Sequence, residues 1–205
     1  MTMPILAGAV AFGVLVLTDL AEPRSLLALR LASMALSALL LAYGILACAL
    51  DPWKLGLSIA PRIVAGVVGA AFLYLLIRSL LLEVPTAKGQ DAAAPKRLVT
   101  TGTYALVRHP GVIWFLFVLL GAAAAADSAP LLVAAPIWAA ADVIYAAVQD
   151  RIFFPRLFGD AYGDYRRSTP FIIPNPASVR TCCETWNAPL DRSSMKPGGP
   201  NGNRV

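Results

Sequence analysis

The chain has 205 residues, 58% hydrophobic and only 14% charged, with mean hydropathy +0.68. Soluble domains carry about 25% charged residues and disordered chains combine low hydrophobicity with high charge, so both classes are excluded for most of the sequence. Three cysteines, two of them adjacent, make no disulfide framework, and a net charge of +5 diluted over long apolar runs reads as membrane topology and not as a nucleic-acid footprint.

Five apolar runs follow in order: Pro4–Leu20, Leu26–Leu50, Pro61–Leu82, Gly111–Ala126 and Leu131–Val148. A spanning helix needs about 20 mostly apolar residues. The fourth run falls short, so the residues just before it are expected to extend it. Ala and Leu dominate, which suits helices, and the alternating segments of a membrane barrel are missing from the pattern. No Lys or Arg precedes the first run, so it reads as a span and not as a cleavable signal peptide.

Five spans put the termini on opposite sides. One side then receives only Lys54 and Arg62 of the 17 basic residues, and the other side receives the rest. The positive-inside rule places the C-terminus in the cytoplasm and the N-terminus outside, in a bacterial inner membrane or its equivalent. Asp19–Ser25 and Asp127–Pro130 read as tight turns, and Asp51–Ala60 as a short outside loop punctuated by Pro52 and Pro61.

The expected architecture is all-α: a polytopic membrane protein with about five transmembrane helices and short cytoplasmic C-terminal helices. Residues 1–83 supply three spans. Residues 84–174 supply a cytoplasmic loop, two spans and a capping segment around a site. Residues 175–205, rich in Pro, Gly, Ser and Asn, read as a flexible cytoplasmic tail.

Asp19, Arg30 and Arg78 sit about one turn from a cytoplasmic helix end and are expected to snorkel. Cys48 is expected to fill apolar space. Asp142 lies about two turns inside the fifth span, and an intramembrane carboxylate is a functional candidate because burying it unpaired is costly.

Two polar stretches stand out. Leu98–Pro110 (LVTTGTYALVRHP) leads into the fourth span, with Pro110 suited to the first helical turn and His109, the one histidine, at the N-cap. Free N–H groups and the positive end of the helix dipole make an anion site there, to which Arg108 adds a planar fork. The dipole also favours a neutral His109. Gln149–Pro174 (QDRIFFPRLFGDAYGDYRRSTPFIIP) follows the fifth span. Phe153, Phe154, Leu157 and Phe158 form an apolar surface, Gly159 ends a short helix, and Tyr162 and Tyr165 share a face of the next one. This segment is expected to lie at the interface or to fold over a pocket.

In this order, with a helical hairpin between them, the two stretches resemble the isoprenylcysteine carboxyl methyltransferase family, which includes phospholipid methyltransferase relatives. The resemblance covers about residues 98–174. It rests on Thr100, Gly102 and Tyr104, then Val107, Arg108, His109 and Pro110, and after the hairpin Asp150, Phe158, Gly159, Tyr162, Tyr165, Ile173 and Pro174. Thr103 stands in place of the family's Pro, Val112 in place of a frequent Tyr, and Asp150-Arg151 in place of paired Glu; Pro155 interrupts the helix that follows.

The resemblance implies a membrane methyltransferase using S-adenosylmethionine, with a lipophilic acceptor entering sideways from the bilayer. Gly102, Tyr104, Arg108, His109, Pro110, Asp150, Arg151, Tyr162 and Tyr165 become the expected cofactor-binding residues. Arg108 and the helix N-terminus would take the methionine carboxylate, Asp150 the ribose hydroxyls or the amine, and the tyrosines would wall the adenine or the sulfonium. His109, Asp142 and Asp150 are the expected catalytic residues, with His109 or Asp142 serving as base if the acceptor is an amine. No metal and no nucleic acid is expected; the partners are membrane lipids and a lipophilic substrate. Two alternatives stand beside this: an NADPH-dependent membrane reductase of the sterol-reductase type, for which Arg166-Arg167 would hold the 2′-phosphate, and a non-catalytic protein that keeps the pocket. Cys182-Cys183 reads as two reduced thiols at the cytoplasmic face.

Overall fold

The computed structural model describes residues 2–21, 27–83 and 98–186. They form an all-α polytopic membrane protein. Helices α1 (Thr2–Ala21), α2 (Leu27–Ala49) and α3 (Ile59–Ile77) precede a single helical turn, α4 (Thr103–Leu106). The hairpin of α5 (Pro110–Ala125) and α6 (Ala129–Val148) follows, then short helices α7 (Phe154–Phe158), α8 (Asp160–Ser168) and α9 (Pro176–Thr185). Four of these segments are long and apolar enough to cross a membrane, and α5 is a shorter apolar helix. Among the described residues there is no β-strand, only an isolated bridge between Lys54 and Ser128. Most of the Asp19–Ser25 turn, Lys88, Lys96, Arg97 and the chain beyond Trp186 lie outside the described residues.

The expected extension of the fourth span does not occur. Val107 is extended and His109 takes φ −126°, ψ 66°, so α4 and α5 are separate helices. Pro110 explains the break: it sits in the first turn of α5 and disfavours helical backbone at the residue before it. The 16 residues of α5 cover roughly 24 Å, less than the ~30 Å hydrocarbon core.

Packing follows the rules of helices in lipid, where small residues and hydroxyls replace the hydrophobic drive. Helix α6 is the centre. Its Trp138 is fully buried, wedged against Gly8 and Gly44, and donates its indole N–H to the Ile5 carbonyl at 2.8 Å. A Cβ on Gly8 would fall 2.3 Å from that ring. Helices α1 and α2 are joined by Thr18 to Ser33 at 2.7 Å and by Ser37 to the Ala11 carbonyl at 3.1 Å. Helix α3 packs on α5 through Gly69 and Gly121, where a Cβ on Gly121 would lie 2.6 Å from the Gly69 Cα. The outer faces of α2 and α3 expose Leu39, Leu46, Ile63 and Val67, a lipid-facing pattern. Cys48 is buried filler, as expected.

At one end of the bundle, Asp127 (φ 56°) and Ser128 turn α5 into α6. Ser128 caps Leu131 and donates to the Cys48 carbonyl at 2.6 Å. At the other end, α3 and α6 each close in a π-helical turn, Arg78–Glu83 and Gln149–Phe153. The second turn ends two residues before Pro155, whose ring and missing N–H disfavour regular α-helix one turn earlier.

Two expectations are revised here. The stretch from 175 does not begin as irregular chain: Asn175 and Ser178 form a reciprocal capping box with Pro176 at the first helical position, and α9 follows. Arg78 and Asp19 do not simply snorkel. Arg78 bonds Glu83 and Trp186, and Asp19 accepts from Gln149 at 3.0 Å.

Candidate functional site

The polar stretches 98–110 and 149–174 meet at the π-turn end around Asp150, whose side chain is 5% exposed. Arg108 grips it with Nε to Oδ1 at 2.7 Å and Nη2 to Oδ2 at 3.3 Å. Tyr162 donates its hydroxyl to Oδ1 at 2.6 Å. Arg166 stands 3.5 Å from Oδ2, and His109 Nε2 stands 3.6 Å from Oδ1.

Arg108 has further duties. Its Nη1 donates to the Thr169 carbonyl at 2.6 Å and the Arg166 carbonyl at 3.2 Å. The backbone N–H groups of Arg108 and His109 donate to Pro170 and Phe171. Four of the five guanidinium donors are therefore spent on the protein. Arg108 fastens the segment after α8 to the start of α5 and is not an open carboxylate fork.

His109 is different. It is 8% exposed, and its Nε2 is buried without a hydrogen-bond partner among the described residues. The ring stacks on Phe154, with centroids 5.8 Å apart and planes 9° apart, and meets the edge of Phe171 at 5.1 Å. Burial pulls its pKa down to about 4; Asp150 opposes that shift and Arg108 adds to it. The imidazole is thus neutral at pH 7. It sits at the N-cap of α5, where its carbonyl accepts from the Val112 N–H at 3.3 Å while its side chain makes no cap bond.

The tyrosines brace the site and do not line an open wall. Tyr162 and Tyr165 share the inner face of α8, are 1% and 5% exposed, and meet edge to face at 5.9 Å. Tyr165 donates to the Tyr104 carbonyl at 2.7 Å. Burial raises the pKa of Tyr104, Tyr162 and Tyr165, and the bond to Asp150 adds to the rise at Tyr162, so these hydroxyls stay protonated. Gly102 (φ 62°) and Pro110 are buried and shape the backbone at either end of the segment.

Arg151 does not join the site. It is exposed and has no ion pair among the described residues. Val112 is buried. The Arg166-Arg167 pair is divided: Arg166 faces Asp150, and Arg167 bonds Asp164 on its own helix.

Asp142 belongs to another set. It lies within electrostatic range of Tyr145. Tyr145 bonds Asp19 and accepts from Gln149 at 2.8 Å. None of these contacts reaches Arg108 or Asp150.

A residue absent from the sequence-based candidates is Glu83. Its carboxylate accepts from Arg78 Nε at 3.0 Å, from the Thr103 hydroxyl at 2.5 Å and from the Thr103 N–H at 3.1 Å. At the end of an apolar run it looks like a solvated end charge, and nothing in its spacing ties it to Thr103. No protein-family model, no curated protein and no solved structure matches the chain.

Proposed function

We propose that the protein is an integral-membrane methyltransferase that uses S-adenosylmethionine to methylate a lipophilic small molecule or lipid, with its site at the cytoplasmic face. One observation carries this reading. Two stretches that resemble one methyltransferase family, separated in sequence by two spans, converge on a single buried carboxylate. The topology rests on charge: Lys54 and Arg62 lie near the α5–α6 turn, whereas Arg78, Arg108, Arg151 and Arg166 lie at the π-turn end.

The residues fit the cofactor at two points. The buried, unpartnered Nε2 of His109 and the uncapped N-terminus of α5 suit the methionine carboxylate. Oδ2 of Asp150, with Arg166 beyond ordinary hydrogen-bond distance, can accept a ribose hydroxyl without losing a short bond. When bound, the cofactor supplies an activated methyl group on sulfonium sulfur. Arg108 and Tyr162 fix Asp150, the stack on Phe154 fixes the imidazole plane, and orientation by such fixed groups contributes up to ~7–11 kcal/mol in favourable cases. With His109 occupied by the carboxylate, the site favours an acceptor that arrives already anionic, a carboxylate or thiolate, over an amine that must lose a proton.

The test is transfer of labelled methyl from S-adenosylmethionine to extracted membrane lipids by the purified protein, with calorimetric binding in parallel. His109→Ala is expected to weaken cofactor binding at least tenfold, on the order of one lost charge-assisted hydrogen bond. Equal binding by parent and variant would refute the site, and absence of both binding and transfer in the parent would refute the function.

A further inference from the structure

The short helix α4 and the residues after it carry Tyr104, Arg108 and His109, and this segment is tied down at both ends. At its far end the backbone of Arg108 and His109 bonds Pro170 and Phe171. At its near end everything converges on Glu83. Thr103 gives Glu83 both its N–H and its hydroxyl. Gly102 holds φ 62°, ψ −132°, a region closed to other residues, and presses against the carboxylate so closely that a Cβ would lie 2.7 Å from Oε1. The Gly102 N–H donates to the Thr185 hydroxyl at 3.0 Å, which brings in α9. Arg78 completes the set: it bonds Glu83, donates to the Trp186 carbonyl at 2.5 Å, and stacks its guanidinium 3.8 Å from the Trp186 ring centre. Thr103 is fully buried, as is Val107 between the two anchors.

Proline is the residue that suits the first position of a helix such as α4, because the N–H there has no helical partner. Here that position holds Thr103, and both of its donors are used. The carboxylate therefore has a specific receiver that a proline would not supply.

We propose that Glu83 is a positioning residue: held by Arg78 and backed by α9, its carboxylate sets the register of Gly102 and Thr103 and thereby the placement of Arg108 and His109. As an account of catalysis this rests on the methyltransferase reading; as an account of geometry it does not.

The chain has one histidine, so the imidazole signal of histidine-labelled full-length protein in lipid nanodiscs reports His109 alone. Glu83→Gln and Thr103→Val are expected to shift that signal and to raise its titration midpoint from about 4 toward 6.5 as the ring loosens from Phe154, Phe171, Arg108 and Asp150. S-adenosylmethionine binding should weaken about tenfold, the scale of one lost buried hydrogen bond, while the melting transition is retained. Thr103→Ser, which restores the hydroxyl, should recover both readouts. An unchanged His109 signal in folded Thr103→Val overturns the proposal. That variant leaves the Arg78–Glu83 pair intact and carries the test if Glu83→Gln does not fold. If the parent binds no S-adenosylmethionine, the functional reading fails, and the His109 signal alone decides the positioning role.

Discussion

Asp150 and Glu83 are built alike. Each leaves a π-helical turn at the same end of the bundle. Each accepts an arginine Nε, at 2.7 and 3.0 Å, and a hydroxyl, from Tyr162 at 2.6 Å and from Thr103 at 2.5 Å. They differ in what stands beside them. Around Glu83, Thr103, Thr185 and Arg78 all take part in bonds. Beside Asp150 a buried imidazole nitrogen has no partner among the described residues. A buried polar group left open costs free energy unless something offsets it. The same construction thus closes a joint at Glu83 and leaves one buried nitrogen unbonded beside Asp150.

The largest expected effect comes from removing the carboxylate at Asp150. Asp150→Ala leaves Arg108 and Tyr162 buried without their acceptor. Breaking a buried ion pair by removing one partner costs about 3–5 kcal/mol. Denaturant unfolding in mixed micelles should show that loss together with complete loss of ligand binding. A loss below about 1 kcal/mol would mean that Asp150 does not organise the end of the bundle.

The second effect tests whether His109 is neutral in the folded state. Its folded pKa lies near 4 against an unfolded value of 6.5. Between those values the unfolded chain binds the additional proton, so stability is full above about pH 6.5 and falls as pH drops toward 4. A tenfold change in proton affinity corresponds to about 1.4 kcal/mol, so the loss by pH 4 is roughly a few kcal/mol. His109→Phe should remove that part of the pH dependence and leave stability at pH 7 little changed. A variant whose pH profile matches the parent would show that the imidazole is not held neutral.

Much of the fold is legible in the sequence because hydropathy writes spans directly. Leu26–Leu50 is matched by a helix over Leu27–Ala49, and the i, i+3 spacing of Tyr162 and Tyr165 puts both on one buried face. The site is legible only as two stretches. That Arg108 grips Asp150 instead of a ligand depends on three-dimensional donor counting, which spacing does not encode. The π turns have no composition signal, so Glu83 resembles an end charge. Helix α9 does have one: Asn175, Pro176 and Ser178 spell a capped helix start, but the surrounding Pro, Gly and Ser mask it.

The smallest effect concerns Arg151, which stands where a family resemblance puts a second acid. If that position mattered, reversing its charge would already have damaged the site, and restoring a carboxylate would improve it. The structure argues otherwise: Arg151 is exposed and makes no ion pair among the described residues. Surface changes of this kind stay within about 0.5 kcal/mol. Arg151→Ala and Arg151→Glu are therefore both expected to match the parent in unfolding midpoint and in S-adenosylmethionine affinity, measured side by side. A gain in affinity for the Glu variant alone would place a second acid within reach of the ligand.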